Sequence, residues 1–402
     1  MHASNPDSTS YQLPSYVKEF CDVAKRIVRE ELMPLEQQFM ASPAQSYAMP
    51  EILAIRNVFG DEVFKRLEKI SRDTGLWYLM VPEEYGGLGL SMLAQVAIME
   101  QLMYTAVPLP LAAVGNILYE CKGDQIERYL KPVIEGKKTT SFGQTEPNAG
   151  SDPGGMMQTR AVRKDGRWVI NGTKMWISNA DDCDFIMLQA VTDPEKRQRG
   201  GITMFLVDRN TPGVNVRVPG IPTWLSSTPK QHIVDFDNVE VPDENVLGEV
   251  GKGFTLGQRW LTIHDRLLRG PYALGKMQRG IDMSVDWAKQ RVTFGQKLAD
   301  RQGVQWLIVD QYVDTQALRS MTYEMAARAD AGEDVRTEAA LVKLCSGLWG
   351  ARSLDKAIQV HGAMGESLEL PLTLFYRLLR HAQIGGGANE IQKMLIARKL
   401  LA

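Results

Sequence analysis

Between Tyr16 and Leu35 the apolar residues Val17, Phe20, Val23, Ala24, Ile27, Val28, Leu32 and Leu35 recur at three- and four-residue spacing. That period lays them along one stripe of a helix. It returns in DEVFKRLEKISRDTG and SMLAQVAIMEQLMYTA, on either side of the glycine-paired loop MVPEEYGGLGL. After Thr139 the pattern changes to short β-branched and aromatic runs: RWVING, KMWIS, DFIMLQAVTD, GITMFLVD, VNVRV and HIVDFDNVEV. Turn signals such as Asp165-Gly166, Asn171-Gly172 and Thr211-Pro212-Gly213 separate them, which predicts an all-β module. From Gly253 four long helical patterns follow, FTLGQRWLTIHDRLLR, ALGKMQRGIDMSVDWAKQR, VQWLIVDQYVDTQALRSMTYEMAARADAG and TEAALVKLCSGLWGARSLDKAIQVHG. The expectation is an α+β multi-domain chain. It comprises an N-terminal α-helical domain (1–138), a middle β-barrel or sandwich domain (139–250) and a C-terminal four-helix bundle (251–402).

Composition narrows the partners. With 46 Lys and Arg against 48 Asp and Glu the formal charge is -2, and no basic block breaks the balance, so nucleic acid is not expected. Cys21, Cys121, Cys183 and Cys345 lie far apart with no C-x-x-C pair, which speaks against a metal site or a disulfide framework and for reduced thiols. The opening MHASNPDSTSYQLP has no apolar core and no arginine, and no run of 18 apolar residues occurs. A soluble cytoplasmic protein is the expectation.

Four motifs carry chemistry. SFGQTEPNAGSDPGG (Ser141 to Gly155) is dense in hydroxyls, glycine and backbone donors, suited to a ligand bearing carbonyls and phosphates. KMWISN presents Trp176 beside Ser178. RVTFGQKLADRQGVQ offers Arg291, Phe294 and Gln302, and QVHGAMG offers Gln359 and Gly362. Together with VPEEYGGLG and the closing NEIQKMLIARKLL, these motifs resemble in order those of the acyl-CoA dehydrogenases, and the resemblance spans essentially the whole chain. It implies FAD as cofactor and α,β-dehydrogenation of an acyl-CoA thioester. It also implies that Phe142, Gln144, Thr145, Gly150, Ser151, Trp176, Ile177, Ser178 and Ala388 line the flavin, Ser151 lying near the thioester as well. Arg291, Phe294, Gln302, Gln359 and Gly362 are implied to reach the FAD of a neighbouring subunit, so a homo-oligomer, dimer or tetramer, or a hetero-oligomer with a related subunit follows. An electron-transfer flavoprotein is the implied electron acceptor. The chain departs from the family at Ala363, Glu366 and His381.

One departure touches the reaction itself. The chemistry needs a carboxylate to take the α proton and donors to hold the thioester oxygen. Many family members carry that carboxylate as a glutamate in the loop that here reads IGGGANEIQ, at the position of Gly386. A glycine keeps its N–H, so Gly386 retains a donor to the thioester oxygen. A second family subgroup carries the base in a Glu-Arg pair on a helix, and LTIHDRLLRGPYALG places Asp265-Arg266 there. Asp265 is therefore the expected base and Arg266 the expected neighbour of CoA, with an i to i+4 surface pair between Asp265 and Arg269 as the plain alternative. Aspartate falls short of glutamate by roughly 1.5 Å.

The stretch from Met103 to Asn116 has no charge, where relatives that take glutaryl-CoA, and a related desulfinase, place an arginine. An apolar acyl group, branched or cyclic, is the expectation. The alternatives are a family member that does not dehydrogenate, such as a desulfinase or flavin monooxygenase, and a catalytically silent subunit that completes its partner's FAD site.

Overall fold

A computed structural model describes residues 13–43, 51–112, 114–225, 228–261 and 266–402. The chain folds as two compact units, one formed by residues 1–42, 90–109 and 262–402, the other by 43–89 and 110–261. Helical sequence from the first 138 residues thus contributes to both.

The first unit is helical. Its principal helices are α1 (Ser15–Ile27), α2 (Met92–Leu102), α3 (Arg266–Gln290), α4 (Gln302–Asp330), α5 (Arg336–His361), α6 (Leu372–His381) and α7 (Asn389–Leu400). On α1 the buried residues Val17, Cys21, Ala24 and Ile27 are the stripe that the sequence period predicts. Beyond Ile27 the helical path runs through a π turn (Val28–Leu32) and a 3₁₀ turn (Met33–Leu35), because Pro34 has no N–H for the helical ladder. On α2, Ala94, Val96, Ala97, Ile98, Met99, Glu100 and Leu102 are all buried. A helix apolar on every side belongs in the middle of a bundle. Its one buried carboxylate, Glu100, accepts from Arg319 Nε and from the Tyr323 hydroxyl, each at 2.9 Å. Arg319 also donates to Gln278 Oε1 at 3.0 Å, so one charge network joins α2, α3 and α4. At Gly275 a Cβ would stand 2.5 Å from the Met103 carbonyl carbon, so the glycine sets the close approach of α3 to the end of α2.

The second unit carries the β module. Its strands are β1 (Thr140–Gly143), β2 (Arg160–Lys164), β3 (Arg167–Ser178), β4 (Phe185–Val191), β5 (Ile202–Asp208), β6 (Val214–Ile221), β7 (Gln231–Pro242) and β8 (Val246–Leu247). They form one sheet in the order β6-β7-β3-β2-β4-β5-β8, with β1 parallel to β4. The core against the sheet holds Trp168, Ile170, Ile177, Ile186, Leu188, Phe205, Val234, Phe236, Val239 and Val241. β4 is buried along its whole length, matching the unbroken apolar run of its sequence. RWVING and KMWIS, separate runs in the sequence, are one strand, β3, whose pairing with β7 slips between Ile170 and Gly172 and again between Lys174 and Ile177. Two bulges, not a turn, account for the break in the pattern.

Candidate flavin and thioester site

In the β unit the motif residues gather where β1 leaves the sheet beside the end of β3. Ser141 Oγ donates to the Ser178 carbonyl at 2.7 Å, and Met175 N–H donates to the Thr145 carbonyl at 2.8 Å, so the SFGQTEP and KMWIS segments lie side by side. Phe142 meets Trp260 edge to face, 4.8 Å between centroids. Gln144 is buried, and its side-chain oxygen has no partner among the described residues. Gly150 and Ser151 are exposed in the turn before Asp152, which caps a short helical turn at Gly155 N–H.

The bulge in β3 decides where the tryptophan goes. Trp168, Ile170 and Lys174 are in phase on the inward side, and simple alternation would bury Trp176 with them. The slip before Ile177 resets the phase: Ile177 is in the core at 2 % exposure, and Trp176 is thrown outward at 47 %. Its φ of +62°, in the left-handed region, is costly for a bulky residue. Ser178 Oγ donates to Gln231 Oε1 at 3.3 Å.

Two residues that sequence reasoning missed stand behind this edge. Lys174 is fully buried, donating to the Gln144 carbonyl at 3.0 Å and to Glu146 Oε1 at 2.9 Å. Glu146 in turn accepts from the backbone N–H groups of Gln158 (2.6 Å) and Thr159 (2.9 Å). Burial draws the lysine down to about 8. Burial pushes the carboxyl up, but the ammonium and the donors to it outweigh that and hold it below its usual range. The signal available beforehand was a lysine in phase with Trp168 and Ile170.

The helical unit holds the remaining motif residues in three places. Arg291 follows α3, and Val292–Thr293 pairs with Gln296–Lys297 across the two-residue turn Phe294-Gly295, whose φ angles are +49° and +73°. Positive φ at both turn positions is the type I′ signature, and it leaves Phe294 98 % exposed, with the Arg301 guanidinium 5.7 Å from its ring. Gln302 opens α4 and is exposed. Gln359 is exposed near the end of α5, where Gly362 at φ +60° stops the helix.

The third place is the glycine turn between α6 and α7. Gly386 and Gly387 have φ of +68° and +92°, backbone that L side chains adopt reluctantly. At Gly385 a Cβ would stand 2.7 Å from His381 Nε2, so the histidine that departs from the family pattern lies against this glycine. The Gly387 carbonyl accepts from Lys343 Nζ at 2.6 Å and from Gln392 Nε2 at 2.9 Å. Arg266 is buried, its guanidinium 3.9 Å from where a Gly387 Cβ would be. Ala388 stands at the start of α7. Asp265 lies outside the described residues.

Two features of the β unit suit a flavin: a buried amide oxygen waiting for a donor at Gln144 and an aromatic face presented by strained backbone at Trp176. Comparison with known proteins agrees. The family descriptions "Acyl-CoA dehydrogenase, N-terminal domain", "middle domain" and "C-terminal domain" match residues 17–137, 141–239 and 251–401. The chain is 36 % identical to (R)-benzylsuccinyl-CoA dehydrogenase of Thauera aromatica over 94 % of each chain. It is 33 % identical to the caffeyl-CoA reductase-Etf complex subunit CarC of Acetobacterium woodii, over 85 % of this chain and 90 % of that one. The butyryl-CoA dehydrogenase of Megasphaera elsdenii superposes with a TM-score of 0.83 at 27 % identity, covering 98 % of this chain and 100 % of that one. With its helical, β and helical segments all matched in order, the chain belongs to the acyl-CoA dehydrogenase family, flavoenzymes that carry FAD and act on CH–CH bonds.

Proposed function

We propose that the protein dehydrogenates an acyl-CoA thioester between its α and β carbons, with Asp265 as the base that removes the α proton. The observation that carries this reading is the turn Gly385 to Gly387. It offers amide groups but no carboxylate, while the buried Arg266, the residue after Asp265, reaches that same turn. FAD, when bound, supplies the acceptor for the β hydride. The chain's own part is to hold and to deprotonate. Gly386 N–H donates to the thioester oxygen as enolate charge develops, which lowers the barrier to proton loss. The Asp265 carboxylate accepts the α proton, and Arg266 steadies the CoA end. Phe142, Gln144, Thr145, Gly150, Ser151, Trp176, Ile177, Ser178 and Ala388 hold the flavin of their own subunit.

An apolar acyl group is favoured by the uncharged stretch that starts at Met103, where Met103, Ala106, Val107 and Leu109 are buried. A second reading, an acyl group ending in an acid, is supported by the named substrate of the Thauera relative, benzylsuccinyl-CoA.

A homo-oligomer is supported by α4, which exposes Trp306, Val309 and Val313 at i, i+3 and i+7, with Tyr312 beside them. Arg291, Phe294, Gln302, Gln359 and Gly362 would reach the neighbour's FAD. The Etf-named relative supports an electron-transfer flavoprotein as acceptor. No described helix is long and apolar enough to cross a membrane, and the four buried free thiols fit the reducing cytoplasm.

A panel of saturated acyl-CoAs, straight, branched, aryl-substituted and ω-carboxylated, tests the reading by anaerobic flavin bleaching. Bleaching by any saturated thioester supports dehydrogenation, and the preferred class decides between the two acyl readings. A yellow protein that no thioester bleaches overturns dehydrogenation, and a chain that takes up no FAD without a second subunit points to the silent role.

A further inference from the structure

The two segments that the functional reading sets against the flavin, Gln144-Thr145 and Trp176-Ile177-Ser178, lie 30 residues apart in the chain. Sheet pairing does not join them directly, because β1 pairs with β4 and not with β3. Beside the backbone bond from Met175 to Thr145 and the bond from Ser141 Oγ to the Ser178 carbonyl, one buried charged side chain joins them. Lys174 extends from β3, two residues before Trp176, and its ammonium donates to the Gln144 carbonyl and to the Glu146 carboxylate on the far segment. We propose that Lys174 is a positioning residue for the flavin, a charged strut that holds the Gln144-Thr145 segment at fixed distance from the Trp176 bulge.

Three physical points support the strut. Lys174 and Glu146 have side-chain exposures of 0 % and 4 %, and a buried ion pair is a poor way to gain stability, since an apolar residue of that length fills the space at no desolvation cost. A charge kept there is better explained by what it holds. The carboxylate is committed on both oxygens to the N–H groups of Gln158 and Thr159, so the lysine is anchored to a rigid acceptor. And the strained φ of Trp176 needs surroundings that over-determine it, which a charge-assisted cross-link one residue from the bulge provides.

The inference rests on the reading that these segments face FAD, and its test separates the two. Lys174→Met is made in the full chain, together with the double variant Lys174→Met/Glu146→Gln, which removes the uncompensated carboxylate. FAD affinity is measured by equilibrium dialysis, and amide hydrogen exchange is followed at Met175, with the β4–β5 ladder as internal reference. The expected result for Lys174→Met is FAD binding weaker by about tenfold or more, and Met175 exchange faster by about the same factor with the reference ladder unchanged. The double variant is expected to regain thermal stability but neither FAD affinity nor Met175 protection. If it regains both, or if Lys174→Met holds both within about twofold, the lysine is structural filling and the proposal fails. A parental protein that binds no FAD overturns the flavin reading, while Met175 exchange still judges the strut.

Discussion

The Lys343 ammonium, fully buried on α5, donates to the carbonyl oxygen of Gly387 at 2.6 Å, and Gln392 donates to the same oxygen at 2.9 Å. A carbonyl held by two buried donors cannot swing, so the peptide plane between Gly387 and Ala388, at the end of the turn, is fixed from the helix side. The chain has no side chain in this turn, yet it keeps the turn's backbone direction under control. That is what an amide needs if it is to donate to a developing oxyanion. Lys343→Met is therefore expected to slow substrate-driven flavin reduction by about tenfold or more while FAD affinity stays at the parental value. Stopped-flow reduction and equilibrium dialysis on the same preparation check this. Equal losses in both would assign Lys343 to general stability.

Gly386→Ala gives a companion result. At φ +68° a Cβ costs about 1–2 kcal/mol, which urea denaturation should show as a lower midpoint at constant m. An unchanged midpoint would mean that the turn relaxes to another conformation.

Trp176 holds a tryptophan where the backbone asks for glycine. Trp176→Gly should leave the denaturant stability of the FAD-free protein unchanged or raised, since it removes about 1–2 kcal/mol of strain. The same change should weaken FAD binding by about tenfold, reflecting the lost aromatic face. A variant less stable without FAD would show the side chain to be packed, against its 47 % exposure.

Acid sensitivity should appear in the β unit. Burial pushes the Asp181 carboxyl up, but the His232 ring 3.0 Å away and the hydrogen bond from Lys230 outweigh it and hold the group at about 2. A carboxyl with a folded value below its unfolded one contributes stability above about pH 4 and loses it as pH falls through about 2. The contribution is about 2 kcal/mol. Asp181→Asn should flatten that part of the stability–pH curve, and a curve of unchanged steepness would contradict the assignment.

How much of this was legible in the sequence depends on whether the signal was periodic. The α1 stripe, the buried β4 run and the long helices follow from spacing alone, because one face or all faces of each element are apolar. β1 and β2 gave no such signal: TSFG is too short for a period, and RAVRK is exposed at four of its five positions. The direction of Trp176 could not be read from alternation, because a bulge one residue earlier reverses the phase. Lys174 was visible as a charge on an inward position, but its partner sits 28 residues away and only the fold brings them together. The three glycines were recognised as a turn that gives up a carboxylate. That Lys343 and Gln392 steady it from outside the motif was not readable, since both belong to helices whose own patterns are ordinary.

The central claim is that proton removal is the work of Asp265 and not of the glycine turn. The direct measurement is anaerobic stopped-flow reduction of the FAD enzyme by its best saturated acyl-CoA, comparing the parental protein with Asp265→Asn. The account predicts that Asp265→Asn binds FAD and the thioester as the parent does, yet reduces its flavin at least about a hundredfold more slowly. Reduction by Asp265→Asn at the parental rate would contradict it.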